Sequence, residues 1–248
     1  MRENNYFYKR ITGIQGIILV EYKAILFDLD GTLIESRVDF LGMRKALINY
    51  FKEKLGIHAL TPELTTVKIL EHALLFLWNK HAGEDIVFKV MNDISSIMDT
   101  YEKKAVETIR PVPEARDALL KAKKLGFKTA VITRAGIKYA ERALLKTGLY
   151  ELIDAIEARE NPFTAKPNPL SIWRLCSKLQ IKPWEAVLIG DHPIDLECAR
   201  RVNAGFIALV SEKNISRFSG INVKMKAYTL LDAVDKASRL VTPNEDTG

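Results

Sequence analysis

The chain has 248 residues, of which 48% are hydrophobic and 27% are charged. Both fractions are typical of globular proteins and exclude a disordered, collagen-like or low-complexity chain. The formal net charge of +6 favours an anionic partner, which for a basic protein is nucleic acid, a membrane surface or a phosphorylated metabolite.

Residues 1–22 precede the first predicted strand and form an N-terminal extension. Its apolar stretch, residues 11–20, is too short to cross a bilayer and lacks a convincing signal-peptide cleavage site. Cys176 and Cys198 lie outside any CxxC or Cys/His cluster, so we expect reduced thiols and no structural zinc site. These features predict a cytoplasmic protein without a membrane partner.

The first predicted strand, residues 23–28, is an apolar run of strand-forming residues that ends in a carboxylate. Such runs are typical of strands buried on both faces of a parallel sheet. Helical spacing of the apolar residues follows over residues 36–108, with Thr61 as one predicted N-cap. The predicted helices are 38–55, 61–79 and 84–107. We interpret residues 36–108 as an inserted α-helical cap domain.

From residue 109 onward, predicted strands and helices alternate. The further strands are predicted at 128–132, 153–158, 186–189 and 206–210. The helices are predicted at 113–125, 137–146, 168–179 and 194–202. This alternation predicts an α/β fold with a doubly wound, Rossmann-like parallel sheet. Its core comprises residues 23–35 and 109–240, and residues 241–248 form a C-terminal tail.

Two carboxylates stand at the end of the first strand, in the motif Asp28-Leu-Asp30-Gly-Thr-Leu. Ligands of α/β sheets bind beyond the carboxyl ends of the strands, so both carboxylates face the predicted site. One of them can stay ionised as a nucleophile while the other, protonated, acts as general acid and base. The motif therefore predicts a catalytic centre rather than a capped turn.

Two further candidates follow later strands. Thr133 ends an apolar strand and is followed by Arg134 at a predicted helix start, where a hydroxyl and free backbone amides are suited to phosphate. Lys166 lies in a proline-rich loop ahead of a helix, where it supplies a point charge for a phosphoryl group.

A second acidic motif, Gly190-Asp191-His-Pro-Ile-Asp195, ends the strand predicted at 186–189. Hard oxygen ligands suit Mg²⁺, and carboxylates from two strand ends can hold that ion beside a phosphate. We interpret His192, between the two aspartates, as a loop residue rather than a metal ligand.

The order of these motifs resembles that of the haloacid dehalogenase superfamily. The likeness covers about residues 23–235 and rests on DxDGT, a hydrophobic strand ending in Thr, a lysine before a helix, and GDxxxD. The helical insert is similar to the α-helical cap of the branch that resembles phosphoglycolate phosphatase. The resemblance implies a core sheet with strand order 5-4-1-2-3.

The resemblance also implies roles for the residues that react with phosphate. Asp28 is the expected nucleophile, which forms an aspartyl-phosphate, and Asp30 is the expected acid and base. Thr133, Arg134 and Lys166 are the expected phosphate-binding residues, although Arg134 departs from the small polar residue that many relatives carry.

A metal site is implied as well. Mg²⁺ is expected on the Asp28 side chain, the Asp30 backbone carbonyl and Asp191. Asp195 is expected to orient the site or Lys166 without itself binding the metal.

These features predict a Mg²⁺-dependent phosphatase acting on a small phosphorylated metabolite, phosphoglycolate or a sugar phosphate, as a monomer or homodimer without a nucleic-acid partner. A phosphomutase of the same superfamily is the main alternative, because it shares every core motif. A haloacid dehalogenase has no use for Asp30 as an acid and base. A non-catalytic binding or regulatory protein has no physical need for the intact set of acidic and basic residues.

Four other residues in or near the predicted cap are given no role in the reaction. Trp78, Lys80 and His81 end a predicted helix, where ordinary packing and a solvated end are the expected state. Arg37 lies near the linker between core and cap, from which a side chain can reach a substrate.

Overall fold

The computed structural model describes residues 22–240. The apolar stretch at 11–20, the N-terminal extension before Tyr22 and the tail at 241–248 lie outside the described residues. The described strands are β1 (Ala24–Phe27), β2 (Ile34–Glu35), β3 (Arg110–Pro111), β4 (Lys128–Gly136), β5 (Ala155–Arg159), β6 (Ala186–Gly190), β7 (Gly205–Leu209) and β8 (Lys226–Ala227). The described α-helices are α1 (Phe40–Leu55), α2 (Thr66–Asn79), α3 (Glu84–Ala105), α4 (Ala115–Lys124), α5 (Ile137–Lys146), α6 (Leu170–Lys178), α7 (Pro193–Arg200) and α8 (Leu230–Arg239).

Six strands form one parallel sheet in the order β5-β4-β1-β6-β7-β8. Strand β1 lies in its interior, paired with β4 and β6, and every one of its residues is fully buried. The five predicted strands follow the implied order, and β8 adds a sixth at one edge. The predicted α/β fold with a doubly wound parallel sheet is confirmed.

The two faces of β1 pack against different helices, because successive side chains of a strand point to opposite sides. Ile25 and Phe27 belong to a hydrophobic cluster that includes buried residues of α4, α5 and α8. Ala24 and Leu26 belong to a second cluster with residues of α6 and α7. Helices therefore cover both faces of the sheet, and its carboxyl edge stays available for a site.

The inserted helices α1, α2 and α3 have a hydrophobic cluster of their own. Its buried members are Met43, Leu47, Phe51, Ile57, Leu60, Ile69, Leu70, Ala73, Leu77, Val90, Ile94 and Met98. The chain segments that enter and leave this helical unit pair with each other, since β2 and β3 are antiparallel with Ile34 opposite Pro111. The unit therefore begins and ends beside the carboxyl end of β1.

The predicted N-cap at Thr61 is wrong. The Leu64 N–H donates to the Thr61 carbonyl at 3.2 Å and closes a turn, and Leu64 packs against the cluster of the inserted helices. Helix α2 begins at Thr66, and the Thr65 hydroxyl accepts the Lys68 N–H at 3.3 Å. The turn closed by Leu64 therefore precedes helix α2, and Thr65 rather than Thr61 forms the cap.

The sequence prediction also lacked β8 and α8. Strand β8 has two residues, which is too short to show a period of two. Helix α8 did carry a signal, because Leu230, Ala233, Val234 and Ala237 are buried at helical spacing and Thr229 caps the Asp232 N–H at 3.1 Å. Across residues 22–240, none of the helices combines the length and the apolar character that a membrane span requires.

Candidate active site

The predicted motifs meet in one cleft at the carboxyl edge of the sheet. Asp28 directly follows β1, Asp191 directly follows β6, and Thr133 lies near the end of β4. Since these parallel strands are neighbours, their carboxyl ends reach the same edge. Lys166 comes from the loop between β5 and α6, and all four residues line a cleft of about 1430 Å³.

Lys166 joins two of the predicted aspartates. Its Nζ donates to Asp28 Oδ1 at 2.5 Å and to Asp195 Oδ1 at 2.7 Å. The second Asp195 oxygen accepts the His192 N–H at 3.2 Å. The Lys166 side chain is only 1% exposed, so the ammonium is held between two carboxylates away from bulk water.

Burial controls the electrostatics of this group. It raises the pKa of Asp28 well above its ordinary value, and the neighbouring Lys166 offsets only part of that effect. Burial by itself lowers the pKa of Lys166, but Asp195 and Asp28 outweigh it and raise that pKa. Lys166 therefore stays protonated, and its contact with Asp28 favours the ionised form of that carboxyl group against the effect of burial.

Asp30 is bound by two hydroxyls that the sequence prediction missed. Ser36 Oγ donates to Asp30 Oδ1 at 2.6 Å, and the Tyr139 hydroxyl donates to the same oxygen at 2.7 Å. Burial raises the pKa of Asp30, and these hydrogen bonds offset part of the rise. Both bonds end on one oxygen, so the carboxyl group is held in a fixed orientation.

Asp191 lies against the turn that follows Asp30. A Cβ on Gly31 would meet Asp191 Oδ2 at 2.7 Å, so the close approach requires glycine, as does the Gly31 φ of +88°. Arg217, another residue missed in the sequence, donates from Nη1 to Asp191 Oδ2 at 2.8 Å. Burial and the neighbouring Asp195 raise the pKa of Asp191.

The carboxylates at the strand ends fit a divalent cation. Single ligand atoms of Asp28, Asp191 and Asp195 all lie within 4.8 Å of one another, and all three residues are buried. Crowded, desolvated carboxylates repel each other, and a hard cation with oxygen ligands relieves that repulsion. Asp195 already accepts hydrogen bonds on both oxygens, which leaves Asp28 and Asp191 as the better-placed carboxylates.

Thr133 and Arg134 are neighbours within β4, which continues to Gly136, so the predicted helix start at Arg134 is wrong and the amides of Ala135 and Gly136 donate to Thr133 Oγ1 and Glu102. Thr133 is buried, and its Oγ1 accepts the Ala135 N–H at 3.1 Å. Arg134 lines the cleft, and its buried Nε finds no hydrogen-bond partner among residues 22–240. Burial lowers the pKa of Arg134 to about 10.

The end of β5 is tied to the inserted helices by a second buried ion pair. Arg159 Nη2 donates to Glu102 Oε1 of α3 at 2.9 Å and to Asp99 Oδ1 at 2.7 Å. Glu102 also accepts the Gly136 N–H at 2.9 Å, and Arg159 Nε donates to the Arg134 carbonyl at 3.0 Å. The segment that follows Thr133 is therefore fixed to α3 from both sides.

The remaining candidates from the sequence have simpler positions. His192 is the N-cap of α7, where its Nδ1 accepts the Ile194 N–H at 3.2 Å. Trp78 is 78% exposed and lies outside the cleft, whereas Arg37 lines it. On the side of the inserted helices, the cleft is lined by Phe40, Met43, Arg44, Thr65, Thr66, Met98 and Glu102.

Comparison with known proteins shows the family of this chain. Residues 25–209 match the family described as haloacid dehalogenase-like hydrolase. The chain belongs to this family. It is accordingly a hydrolase, and the matched range contains every one of the motif residues discussed above.

Individual relatives of this hydrolase include named phosphatases. It is 25% identical to a phosphoglycolate phosphatase from Psychrobacter arcticus over 77% of the chain and 84% of the relative. It is 24% identical to an N-acetylmuramic acid 6-phosphate phosphatase from Pseudomonas aeruginosa over 87% and 96% of the two chains. In fold it is similar to a crystal structure described as a predicted phosphoglycolate phosphatase from Haemophilus somnus, with TM-score 0.57 and 20% identity over 87% and 97% of the chains.

Proposed function

We propose that this hydrolase is a Mg²⁺-dependent phosphatase that removes the phosphoryl group from a small phosphorylated metabolite through an aspartyl-phosphate on Asp28. The observation that carries the proposal is the pair of buried carboxylates two residues apart. Asp28 is bound to a cation and Asp30 to two hydroxyls. Their different partners suit them to the roles of nucleophile and general acid.

In the first step, an Asp28 oxygen bonds to phosphorus while the bond from phosphorus to the alcohol oxygen breaks. Asp30 gives its proton to the departing alcohol oxygen, which its raised pKa favours. In the second step, Asp30 takes a proton from water as the water oxygen bonds to phosphorus. The bond from Asp28 to phosphorus then breaks, and inorganic phosphate leaves.

Thr133 and Lys166 supply the contacts for the transferring oxygens. Phosphoryl transfer depends chiefly on positioning and on charge stabilisation of those oxygens. The Lys166 ammonium is already held in place by Asp195 and Asp28, so little side-chain entropy is lost when it binds phosphate. Asp195 in this proposal positions Lys166.

Mg²⁺ would be held by the Asp28 and Asp191 carboxylates and the Asp30 backbone carbonyl. When bound, the ion supplies positive charge beside the phosphoryl oxygens. The fit rests on the buried cluster of carboxylates and on the Gly31 turn that admits Asp191 next to it.

We further propose that residues 36–108 act as a cap over residues 23–35 and 109–240. The helical unit lines one side of the cleft, which places its residues where they contact the part of the substrate that leaves. A cap of this kind excludes bulk water and selects the substrate. Phosphoglycolate, for which a relative is named, and sugar phosphates are the first candidates.

The test is hydrolysis by the purified full chain. It should release inorganic phosphate from p-nitrophenyl phosphate and from at least one metabolite of a phosphoester panel, and EDTA should abolish the release until Mg²⁺ is restored. A phosphoenzyme formed during turnover should be cleaved by hydroxylamine, as acyl phosphates are. Isomerised sugar phosphates without free phosphate would indicate a phosphomutase instead. Release that is unaffected by EDTA would contradict the metal assignment.

A further inference from the structure

We propose that Arg134 binds a carboxylate on the substrate, a second anionic group separate from the phosphoryl group that is transferred. The inference rests on the proposed phosphatase function and names the class of substrate that the site accepts. Nothing in the roles of Asp28, Asp30, Thr133 and Lys166 requires an arginine at this position.

The first observation is that the Arg134 guanidinium has no hydrogen-bond or ion-pair partner among the described residues. Its Nε is buried without a hydrogen-bond partner, and within residues 22–240 the side chain forms no other hydrogen bond or ion pair. A desolvated donor without a partner is costly in a folded protein, so such groups call for an explanation. A ligand that supplies an oxyanion to the cleft accounts for this one.

The second observation is that two acidic neighbours, Glu102 and Asp195, have other partners on both oxygens, while the third, Asp28, binds Lys166. Both Glu102 oxygens accept hydrogen bonds from Arg159, and one also accepts from Gly136. Both Asp195 oxygens accept hydrogen bonds, from Lys166 and from the His192 N–H. Although these carboxylates lie near Arg134, none of them forms its partner.

The third observation is the position of Arg134. Its carbonyl accepts from Arg159 Nε at 3.0 Å, and the same guanidinium holds Glu102 of the inserted helix α3. Arg134 therefore lies where the strand ends meet the helical unit. In the proposed reaction the phosphoryl group binds Asp28, Thr133 and Lys166, so this region is the one left for the leaving group of the substrate.

Charge favours a carboxylate as the bound group. Burial lowers the pKa of Arg134 to about 10, which leaves the guanidinium protonated at neutral pH. One unpaired positive charge balances one negative charge, and the guanidinium fork matches the two oxygens of a carboxylate.

The experiment compares substrates that differ only in this group. Phosphoglycolate is paired with its neutral amide, phosphoglycolamide, and 6-phosphogluconate is paired with sorbitol 6-phosphate. kcat/KM is measured for the wild type, Arg134→Gln and Arg142→Gln. Arg142 is an exposed arginine on α5, so its substitution makes the same change in net charge away from the cleft.

The wild type should prefer the carboxylated member of at least one pair. Arg134→Gln should reduce that preference about 10- to 100-fold, the size expected for loss of a desolvated charged hydrogen bond. Arg142→Gln should leave the preference unchanged. Equal losses on both members would assign Arg134 to the transferring phosphoryl group and overturn the proposal. No preference in either pair would overturn it as well.

A binding measurement separates this inference from the proposed function. Calorimetric affinities of the same compounds are measured for wild type and Arg134→Gln in the presence of Ca²⁺ in place of Mg²⁺. Binding of the carboxylated compound that depends on Arg134, without hydrolysis of any ester, would support the inference and contradict the phosphatase. If the protein hydrolysed esters but neither kcat/KM nor affinity depended on the carboxylate, the phosphatase would be supported and the inference contradicted.

Discussion

Two ion clusters in this protein each join one buried cation to two carboxylates, in different surroundings. The strand-end cluster is Lys166 with Asp28 and Asp195, and the junction cluster is Arg159 with Glu102 and Asp99. The cation of each is almost fully buried, with 1% of the Lys166 side chain and 2% of the Arg159 side chain exposed. Only the strand-end cluster has every member lining the cleft.

Access to the cleft distinguishes a buried ion pair that is a candidate catalytic group from one that only joins elements of the fold. In the junction cluster, Arg159 and Glu102 form hydrogen bonds only with other protein groups among the described residues. These bonds join α3 to the ends of β4 and β5. In the strand-end cluster, Asp195 holds Lys166 in place, and Asp28, which lines the cleft, accepts from Lys166 on Oδ1 alone. We therefore expect substitutions in the two clusters to separate activity from stability.

The largest effect is expected for Asp28→Asn. An amide is a very poor nucleophile, so phosphate release should fall at least about 10⁴-fold. The free energy of unfolding should stay unchanged or rise slightly, because Lys166 keeps Asp195 as its partner. Phosphate assays and urea unfolding of the same preparation measure both quantities. Substantial residual turnover would contradict the assignment of the nucleophile.

The opposite pattern is expected for Arg159→Met in the junction cluster. Removing the cation leaves Glu102 buried and unpaired, which should lower the free energy of unfolding by about 3–5 kcal/mol. kcat at a temperature where the variant is folded should stay within about tenfold of wild type. The double variant Arg159→Met/Glu102→Gln should recover part of the stability. An unaffected urea midpoint in the single variant would refute the assignment of this pair to stability.

Tyr139→Phe tests the Tyr139 hydroxyl, which contributes to the proposed reaction by holding Asp30. Loss of one of the two hydroxyls on Asp30 should reduce kcat/KM about 10- to 100-fold for an alkyl phosphate. The loss should be smaller for p-nitrophenyl phosphate, whose leaving group needs little protonation. Ser36→Ala is the matched variant for the second hydroxyl. Equal losses on both substrates would argue that Tyr139 does not act through the proton of Asp30.

Mg²⁺ should stabilise the folded protein through Asp28 and Asp191, independently of the junction cluster. At about 100 times its dissociation constant, a ligand that binds the folded state stabilises it by about 2.7 kcal/mol. Thermal unfolding with and without Mg²⁺ should show this gain in the wild type and in Arg159→Met, and Asp191→Asn should lose it. If Mg²⁺ still stabilised Asp191→Asn, the metal would bind at a site that does not include Asp191.

The smallest effect is expected for Arg134→Met. The substitution removes a desolvated charge that has no partner within the described residues, so the free energy of unfolding should change by less than about 1 kcal/mol, toward greater stability. Urea unfolding measures the change. A large loss of stability would show that the guanidinium has a structural partner.

Much of the fold followed from local patterns. Five of the six strands of the sheet, β1 among them, and the core helices α4 to α7 were predicted, because apolar runs and helical spacing depend only on neighbouring residues. The strand-end position of Asp28, Thr133 and Asp191 followed too, since the carboxyl ends of parallel strands share one edge. The predicted start of α2 was wrong, because a turn from Thr61 to Leu64 precedes the helix and Thr65 forms its cap.

The tertiary structure alone decided which polar groups meet. Tyr139 reaches Asp30 across 109 positions of sequence, and Arg159 reaches Glu102 across 57. No spacing in the sequence encodes such a contact, because it depends on how helices α3 and α5 pack on the sheet. The sequence by itself therefore determined the order of the motifs and the edge on which they lie. The partners, burial and charge state of each residue came only with the fold, because solvent exclusion and long-range contacts set them.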